Sequence, residues 1–186
     1  WDKKILMITK DQMDNSDSYL AQGGICTLTS PDNFEEYFED TLKAGHYENN
    51  RDAVKVMIEN SPHVIGSLEK YGVDFDRNPD GSYHYTREAA HRTNRILHHA
   101  DQTGKEITRT LLKRVMERDN ITVLPYHTMI DLLEDQDGEC TGIVIENAVG
   151  ARKAVFADAV VLATGGIGGL FHHSTNFPHI TGDSFA

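Results

Sequence analysis

Between Thr86 and His98 the chain reads Thr-Arg-Glu-Ala-Ala-His-Arg-Thr-Asn-Arg-Ile-Leu-His, gathering Arg87, Glu88, His91, Arg92, Arg95 and His98 in a run of poor apolar periodicity. Such a run has two readings. It is a solvated surface loop, or it is a polar lining in which Arg forks bind carboxylates and Glu88 receives an amine. A second kind of chemistry is offered by Ser18-Tyr19-Leu20-Ala21-Gln22-Gly23-Gly24-Ile25, a short loop beyond the apolar run Ile5-Leu6-Met7-Ile8. Paired glycines remove two β-carbons where a flat or anionic group could approach the main chain. The junction recurs at Ala159-Val160-Val161-Leu162-Ala163-Thr164-Gly165-Gly166. A single Gly-Gly is more often a turn than a site. Two that follow apolar strands suggest a ligand laid across one edge of a sheet. The phosphate-binding pattern Gly-x-Gly-x-x-Gly is absent, and the nearest approach, Gly166–Phe171, ends in Phe.

The other candidates carry less. The histidines His84, His91, His98, His99, His127, His172, His173 and His179 form no metal-binding spacing, so solvated or hydrogen-bonded roles are expected and no metal site is assigned. No Ser-His-Asp or Cys-His arrangement has an activating context.

The elements that must position these residues follow from periodicity. A buried parallel strand is expected over Lys4–Thr9 and a polar loop over Lys10–Ser18, followed by a short extended segment over 25–28. Asp32-Asn33 is expected to cap a helix from Phe34 to Ala44 that stops at Gly45. A second helix spans Arg51 to Tyr71, with Val54, Met57, Ile58, Val64, Ile65 and Leu68 largely on one face; Pro62 bends or divides it. After the turn Asn78-Pro79-Asp80-Gly81, a strand is expected over Ser82–Thr86. A helix from about Gly104 to Arg118 carries the stripe Ile107, Leu111, Leu112 and Val115. Then come a strand at Ile121–Leu124 and a hairpin of Thr128–Glu134 with Cys140–Glu146 about an Asp-Gly turn. Ala154–Phe156 and Ala159–Ala163 finish the sheet. The order is that of an α/β sheet carrying a β-meander.

Composition narrows the classes. With 186 residues and 39% hydrophobic content the chain suits one sizeable core. A net charge of -11 argues against a nucleic-acid partner. Two cysteines, Cys26 and Cys140, support neither a disulfide framework nor a zinc site. No apolar stretch approaches the ~20 residues of a membrane span and no signal peptide leads the chain, so no membrane partner and a cytoplasmic location are expected. Trp1-Asp2-Lys3 enters a strand with almost no lead, and Asp183-Ser184-Phe185-Ala186 stops as a helix would begin; a fragment is expected.

Several blocks in order carry a resemblance: Ser18–Ile25, Glu39–Gly45, Tyr85–Glu88, Arg95–Gly104, Ala159–Gly166, and Thr175-Asn176 through Gly182-Asp183. With them the chain resembles, end to end, the flavoprotein family of L-aspartate oxidase and of the succinate dehydrogenase and fumarate reductase flavoprotein subunits. The oxidase branch is the nearer one. Where the dehydrogenase branch carries a flavin-bonded His, this chain has Asp17, and Arg95-Ile96-Leu97-His98 after Thr86-Arg87-Glu88 is the oxidase pattern.

The resemblance implies an incomplete FAD-binding domain, Rossmann-like and of the glutathione-reductase type, over 1–186, with a helical insertion at about 33–120 and a β-meander. The first phosphate-binding βα unit and the capping domain would lie outside it, along with the His and Arg that serve the substrate carboxylates. It implies non-covalent FAD near Lys10, along Asp17, Ser18, Tyr19, Leu20, Ala21, Gln22, Gly23 and Gly24, at Thr128 and Met129 beside the adenine, and at Thr164, Gly165 and Asp183. It implies Glu88 as the catalytic residue that accepts the α-amino group of L-aspartate, oxygen or fumarate as electron acceptor, a place in quinolinate and NAD synthesis, and quinolinate synthase as a partner. The alternatives are a soluble fumarate reductase flavoprotein and an inert α/β fragment that binds no flavin. The chain departs from the family at Ala89-Ala90, where Gly-Gly is usual, and at Ser184, where Gly is usual.

Overall fold

A computed structural model describes residues 2–185; Trp1 and Ala186, named above at the two ends, lie outside the described residues. In chain order the elements are β1 (Ile5–Thr9), α1 (Asp17–Leu20), β2 (Ile25–Cys26), α2 (Phe34–Ala44), α3 (Arg51–Tyr71), β3 (Ile96–Leu97), α4 (Thr103–Met116), β4 (Ile121–Pro125), β5 (His127–Glu134), β6 (Cys140–Asn147) and β7 (Arg152–Phe156). They fall into two compact units, one of residues 2–17 with 115–185 and the other of residues 18–114.

In the first unit β1 runs parallel to β4, with Ile5 opposite Ile121 and Thr9 opposite Pro125. The meander β5-β6-β7 is antiparallel, as the alternation and the Asp-Gly pair predict. Its first turn is closed by the Asp135 carboxylate, which accepts from the Asp137 and Glu139 amides, and Gly138 supplies the required positive φ of 80°. The strand expected at Ala159–Ala163 does not form. A strand exists only through a ladder, and no described strand runs beside this segment. Val161 accordingly stands 88% exposed.

The second unit holds two apolar clusters. Tyr37, Leu42, Val54 and Ile58 join α2 to α3; Ile65, Leu68, Val73, Phe75 and Leu97 pack the end of α3 against β3. The buried seam of α3 is Val54, Ile58, Ser61, Ile65 and Leu68, a spacing of three and four residues. Met57 and Val64, expected on that face, lie off the seam and are exposed. Asn50 caps the start of α3 through the Ala53 amide, and Gly72 ends it in the left-handed conformation.

Pro62 neither divides nor ends α3. Proline has no N–H to offer the carbonyl four residues back, here that of Ile58. The Ser61 hydroxyl donates to that carbonyl at 2.7 Å instead, and its oxygen accepts from the Leu28 amide at 2.9 Å. Ser61→Ala should therefore leave two polar groups unpaired and cost about 1–3 kcal/mol, measured as a lowered denaturation midpoint; an unchanged midpoint would refute this role.

Two smaller expectations are corrected. The cap near residue 33 is Ser30, whose hydroxyl accepts from the Asp32 amide and opens a 3-10 turn ahead of α2; Asn33 makes no side-chain cap bond. Residues 82–86 form isolated bridges, Tyr83 to Arg77 and Thr86 to Ile96, rather than a strand.

Candidate active site

β3 is the spine of a cavity in the second unit. One side of β3 pairs antiparallel with β2, Ile25 opposite Leu97. At Ile96 it also bridges Thr86, the two exchanging backbone bonds at 2.9 and 3.1 Å. The strand thereby draws together the Gly-Gly loop, the Thr-Arg-Glu segment and its own C-terminal histidine. The cavity, of about 270 Å³, is lined by Gln22, Gly23, Thr86, Glu88, His98, Ala100 and Asp101. Two readings that were separate in the sequence, the glycine pair and the polar run, thus meet in one place.

What approaches the glycines is the chain itself. A Cβ on Gly24 would run into Ile96 Cγ2 and the Leu97 carbonyl, and one on Gly23 would strike the Glu88 carboxylate. The loop is seated from the other side by α4. The Gly104 amide donates to the Ala21 carbonyl at 2.8 Å. The Thr103 hydroxyl accepts from the His99 amide at 3.1 Å and itself lies 3.4 Å from the Gly23 carbonyl.

Glu88 is followed by Ala89 at φ 49°, a left-handed conformation that costs an L-residue about 1 kcal/mol and glycine nothing. Ala89 thus holds a backbone shape that a glycine would adopt without that cost. Ala100, also in the cavity lining, is held the same way at φ 45°.

The arginines do not line the cavity as the carboxylate-binding reading expects. Arg95 is 1% exposed, donates to Asp40 at 3.1 Å and to Glu36 at 2.6 Å, and lies over the Tyr37 ring. Arg92 donates to the same Asp40 from its backbone N–H at 3.0 Å and its Nε at 2.5 Å. Burial alone would raise the Asp40 carboxyl, but the Arg92 hydrogen bonds and the Arg92 and Arg95 charges outweigh it and hold the pKa below the usual range. Arg87 donates to the Arg92 carbonyl at 3.3 Å. These cations brace the loop.

Sequence reasoning missed a contact between Cys26 Sγ and His91 Nε2 at 3.1 Å. Burial raises the Cys26 thiol and lowers the His91 imidazole, so the pair rests as neutral thiol and neutral ring rather than as an activated nucleophile. The partners are 65 residues apart, and no local pattern announces them. Buried Glu106 was also missed; it accepts from the Thr110 hydroxyl at 3.1 Å and the Asp74 amide at 3.3 Å. His98 and His99 are hydrogen-bonded, as expected, through Asp76 and the Asp74 carbonyl. Among the described residues no three His, Cys, Asp or Glu side chains could hold a metal ion.

Ser18, Tyr19 and Leu20 lie in the second unit, ahead of the Gly-Gly pair, whereas Lys10, Asp17, Thr128, Met129, Thr164, Gly165 and Asp183 lie in the first. Lys10 Nζ meets the Asp183 carboxylate at 3.0 Å and the Thr181 hydroxyl at 2.7 Å. Burial would raise Asp183, but the Thr181 and Lys10 hydrogen bonds prevail and lower it. Asp17 accepts from Asn176 Nδ2 at 2.7 Å and from the Phe177 amide at 3.2 Å. Thr164 is hydrogen-bonded to Ser184 at 2.5 Å, and Gly165 has φ 73°. Met129, Ile130, Leu132 and Leu162 share a cleft with Ser184 and three carboxylates, Asp131, Glu134 and Asp183; Thr128 is not in its lining. An apolar wall beside carboxylates and a hydroxyl, which can accept from sugar hydroxyls, fits a flat ring bearing a hydroxylated chain, as a flavin dinucleotide presents.

Comparison with known proteins accords with this chemistry. The chain matches the FAD binding domain family over residues 2–186. It is 42% identical to the L-aspartate oxidase of Clostridium perfringens, over 98% of this chain and 41% of that protein. It is 40% identical to that of Bacillus subtilis, over 98% of this chain and 34% of that protein. Among solved structures it superposes on an E. coli quinol fumarate reductase with a TM-score of 0.90 at 32% identity, covering 97% of this chain and 31% of the other.

The chain belongs to the FAD binding domain family of flavoprotein oxidoreductases, in which L-aspartate oxidases stand beside the succinate dehydrogenase and fumarate reductase flavoproteins. FAD is its cofactor. The chain spans less than half the length of the curated relatives it matches, and no helix among the described residues is long and apolar enough to cross a membrane.

Proposed function

We infer that this chain is part of a flavoenzyme that oxidises L-aspartate to iminoaspartate, the entry step to quinolinate and NAD. The observation that supports this most is the cavity that sets the Glu88 carboxylate against the Gly23 backbone, with Gln22, Thr86 and His98 around it. An amino acid gives up its α-hydride only when its amine is neutral, and a carboxylate at the substrate can take that proton. FAD supplies the two-electron acceptor. The protein binds, orients and manages protons.

The residues proposed for the cofactor are Lys10, Asp17 to Gly24, Thr128-Met129, Thr164-Gly165 and Asp183. The domain is of the Rossmann-like, glutathione-reductase type, with residues of about 33–120 as a helical insertion, a reading supported by the compactness of residues 18–114. FAD is held without a covalent bond. Asp17, in the place of the flavin-bonded His, offers no nucleophilic ring nitrogen, and both its oxygens accept hydrogen bonds.

Steady-state assays with L-aspartate and with succinate test the reading. L-aspartate should sustain reduction of oxygen or fumarate while succinate does not. Turnover of succinate without L-aspartate would support the fumarate reductase branch.

A further inference from the structure

The block 95–104 ends in a glycine to which no role has been given so far. Gly104 is the second residue of α4 and is buried. After proline, glycine is the poorest residue for a helix interior, and Gly104 does not use the left-handed conformation that would call for it. Space accounts for it instead. A Cβ on Gly104 would collide with the Ser18 carbonyl oxygen and crowd the Ala21 carbonyl and Cβ. All of these atoms are fixed to the backbone, so none can swing aside as the tip of a long side chain does.

The close approach also orients the loop. The Gly104 amide donates to the Ala21 carbonyl at 2.8 Å. The buried Thr103 hydroxyl lies 3.4 Å from the Gly23 carbonyl and 3.5 Å from that of Gln22, one proton serving either. In a planar trans peptide the carbonyl and the following N–H point in opposite directions. With these three carbonyls turned to α4, the amides of Gln22, Gly23 and Gly24 face away from it. Among the described residues none of the three amides meets a protein acceptor.

We propose that Gly104 is a positioning residue for the cofactor. Its missing side chain lets the loop of residues 18–24 settle on α4 with those three amides presented to FAD. The inference rests on the reading that this loop meets the cofactor. Gly23 lines the cavity that holds Glu88, so the amides stand beside the place where substrate and flavin ring have to meet. N–H donors held in place favour the form of the ring that carries more negative charge, which is the reduced one. The seat on α4 thus serves both the binding of FAD and its readiness to accept electrons.

Variants of the FAD-loaded protein test this. Gly104→Ala should weaken FAD binding about tenfold, the worth of one hydrogen bond, and shift the flavin potential to more negative values. Gly66→Ala in α3 is the control. It makes the same gain in helix propensity, its Cβ would meet nothing within 4 Å, and both quantities should stay at the wild-type values. Thr103→Val deletes the hydroxyl and keeps the shape; it should act in the same direction as Gly104→Ala, and Thr103→Ser should restore both values. If Gly104→Ala fails to fold, the threonine pair decides. Backbone hydrogen exchange adds a readout free of turnover: the amides of Gln22, Gly23 and Gly24 should be protected in the FAD-loaded wild type and less so in Thr103→Val. Unchanged affinity and potential in Gly104→Ala, or amides that stay fully protected in Thr103→Val, would overturn the role of the seat. Free exchange of those amides in the FAD-loaded wild type would instead overturn the placing of the loop at the cofactor, and the inference with it.

Discussion

Asp40→Ala should lower the stability of the protein by about 3–5 kcal/mol, the range for removing one partner of a buried ion pair. Asp40 is 3% exposed and Arg95 1%, so the guanidinium cannot turn to water when its partner goes. Glu36 would still hold the Nη2 side, but Nη1 would keep only the long contact to His91 Nδ1 at 3.4 Å, and the Arg92 backbone N–H would lose its acceptor. The damage would spread to the loop that carries Glu88, because Arg92 and Arg95 bracket its far end. Asp40→Asn keeps the shape but places an amide among cations, and it should also destabilise, by less.

The same pair sets an acid limit. The Asp40 carboxyl lies below the ordinary aspartate range in the folded protein, so the unfolded chain takes up its proton first as pH falls. Its stabilisation is complete above that unfolded value and is lost as pH drops from about 4 through the folded value. Denaturation midpoints of wild type and Asp40→Asn should converge below pH about 4. A difference of less than about 1 kcal/mol at neutral pH, the size of a surface pair, would mean that packing alone holds Arg95.

Glu88→Gln should cut L-aspartate oxidation by about 10²–10⁴-fold, the usual contribution of a general base, while reduction of fumarate falls far less. Glutamine matches the carboxylate in size and still meets Gly23, so the loop keeps its place. It cannot accept a proton from the substrate ammonium. Fumarate has no amine, and its reduction makes no such demand on this position. Equal losses in both reactions would show that Glu88 only shapes the cavity.

Much of the fold was legible because it is written in local patterns. The alternation of β5 and β6, the Asp-Gly turn between them, and the three-and-four spacing of Val54, Ile58, Ile65 and Leu68 each require only a short window of sequence. What stayed hidden depends on distant partners. Pro62 reads as a helix breaker until Ser61 is seen to donate to the Ile58 carbonyl in its stead. Arg95 reads as a ligand-binding cation until Asp40, 55 residues away, is seen beneath it. The strand at Ala159–Ala163 has the right residues and lacks a described neighbour to pair with.

The candidate site divides the same way. The Gly-Gly pair and the Thr-Arg-Glu run were each visible. Their convergence was not, because it is made by the two-residue strand β3, too short to stand out from its flanking charges. The roles proposed for Glu88 and for the residues assigned to the flavin came from family resemblance, and the cavity supplies the geometry in which Glu88 could act.

The most direct test of aspartate oxidation is anaerobic mixing of the FAD-loaded protein with L-aspartate, either unlabelled or deuterated at the α-carbon, while the visible flavin absorption is followed. The account predicts bleaching by L-aspartate, slowed by the deuterium because the α-hydride is what moves. Absence of bleaching at saturating L-aspartate would contradict it.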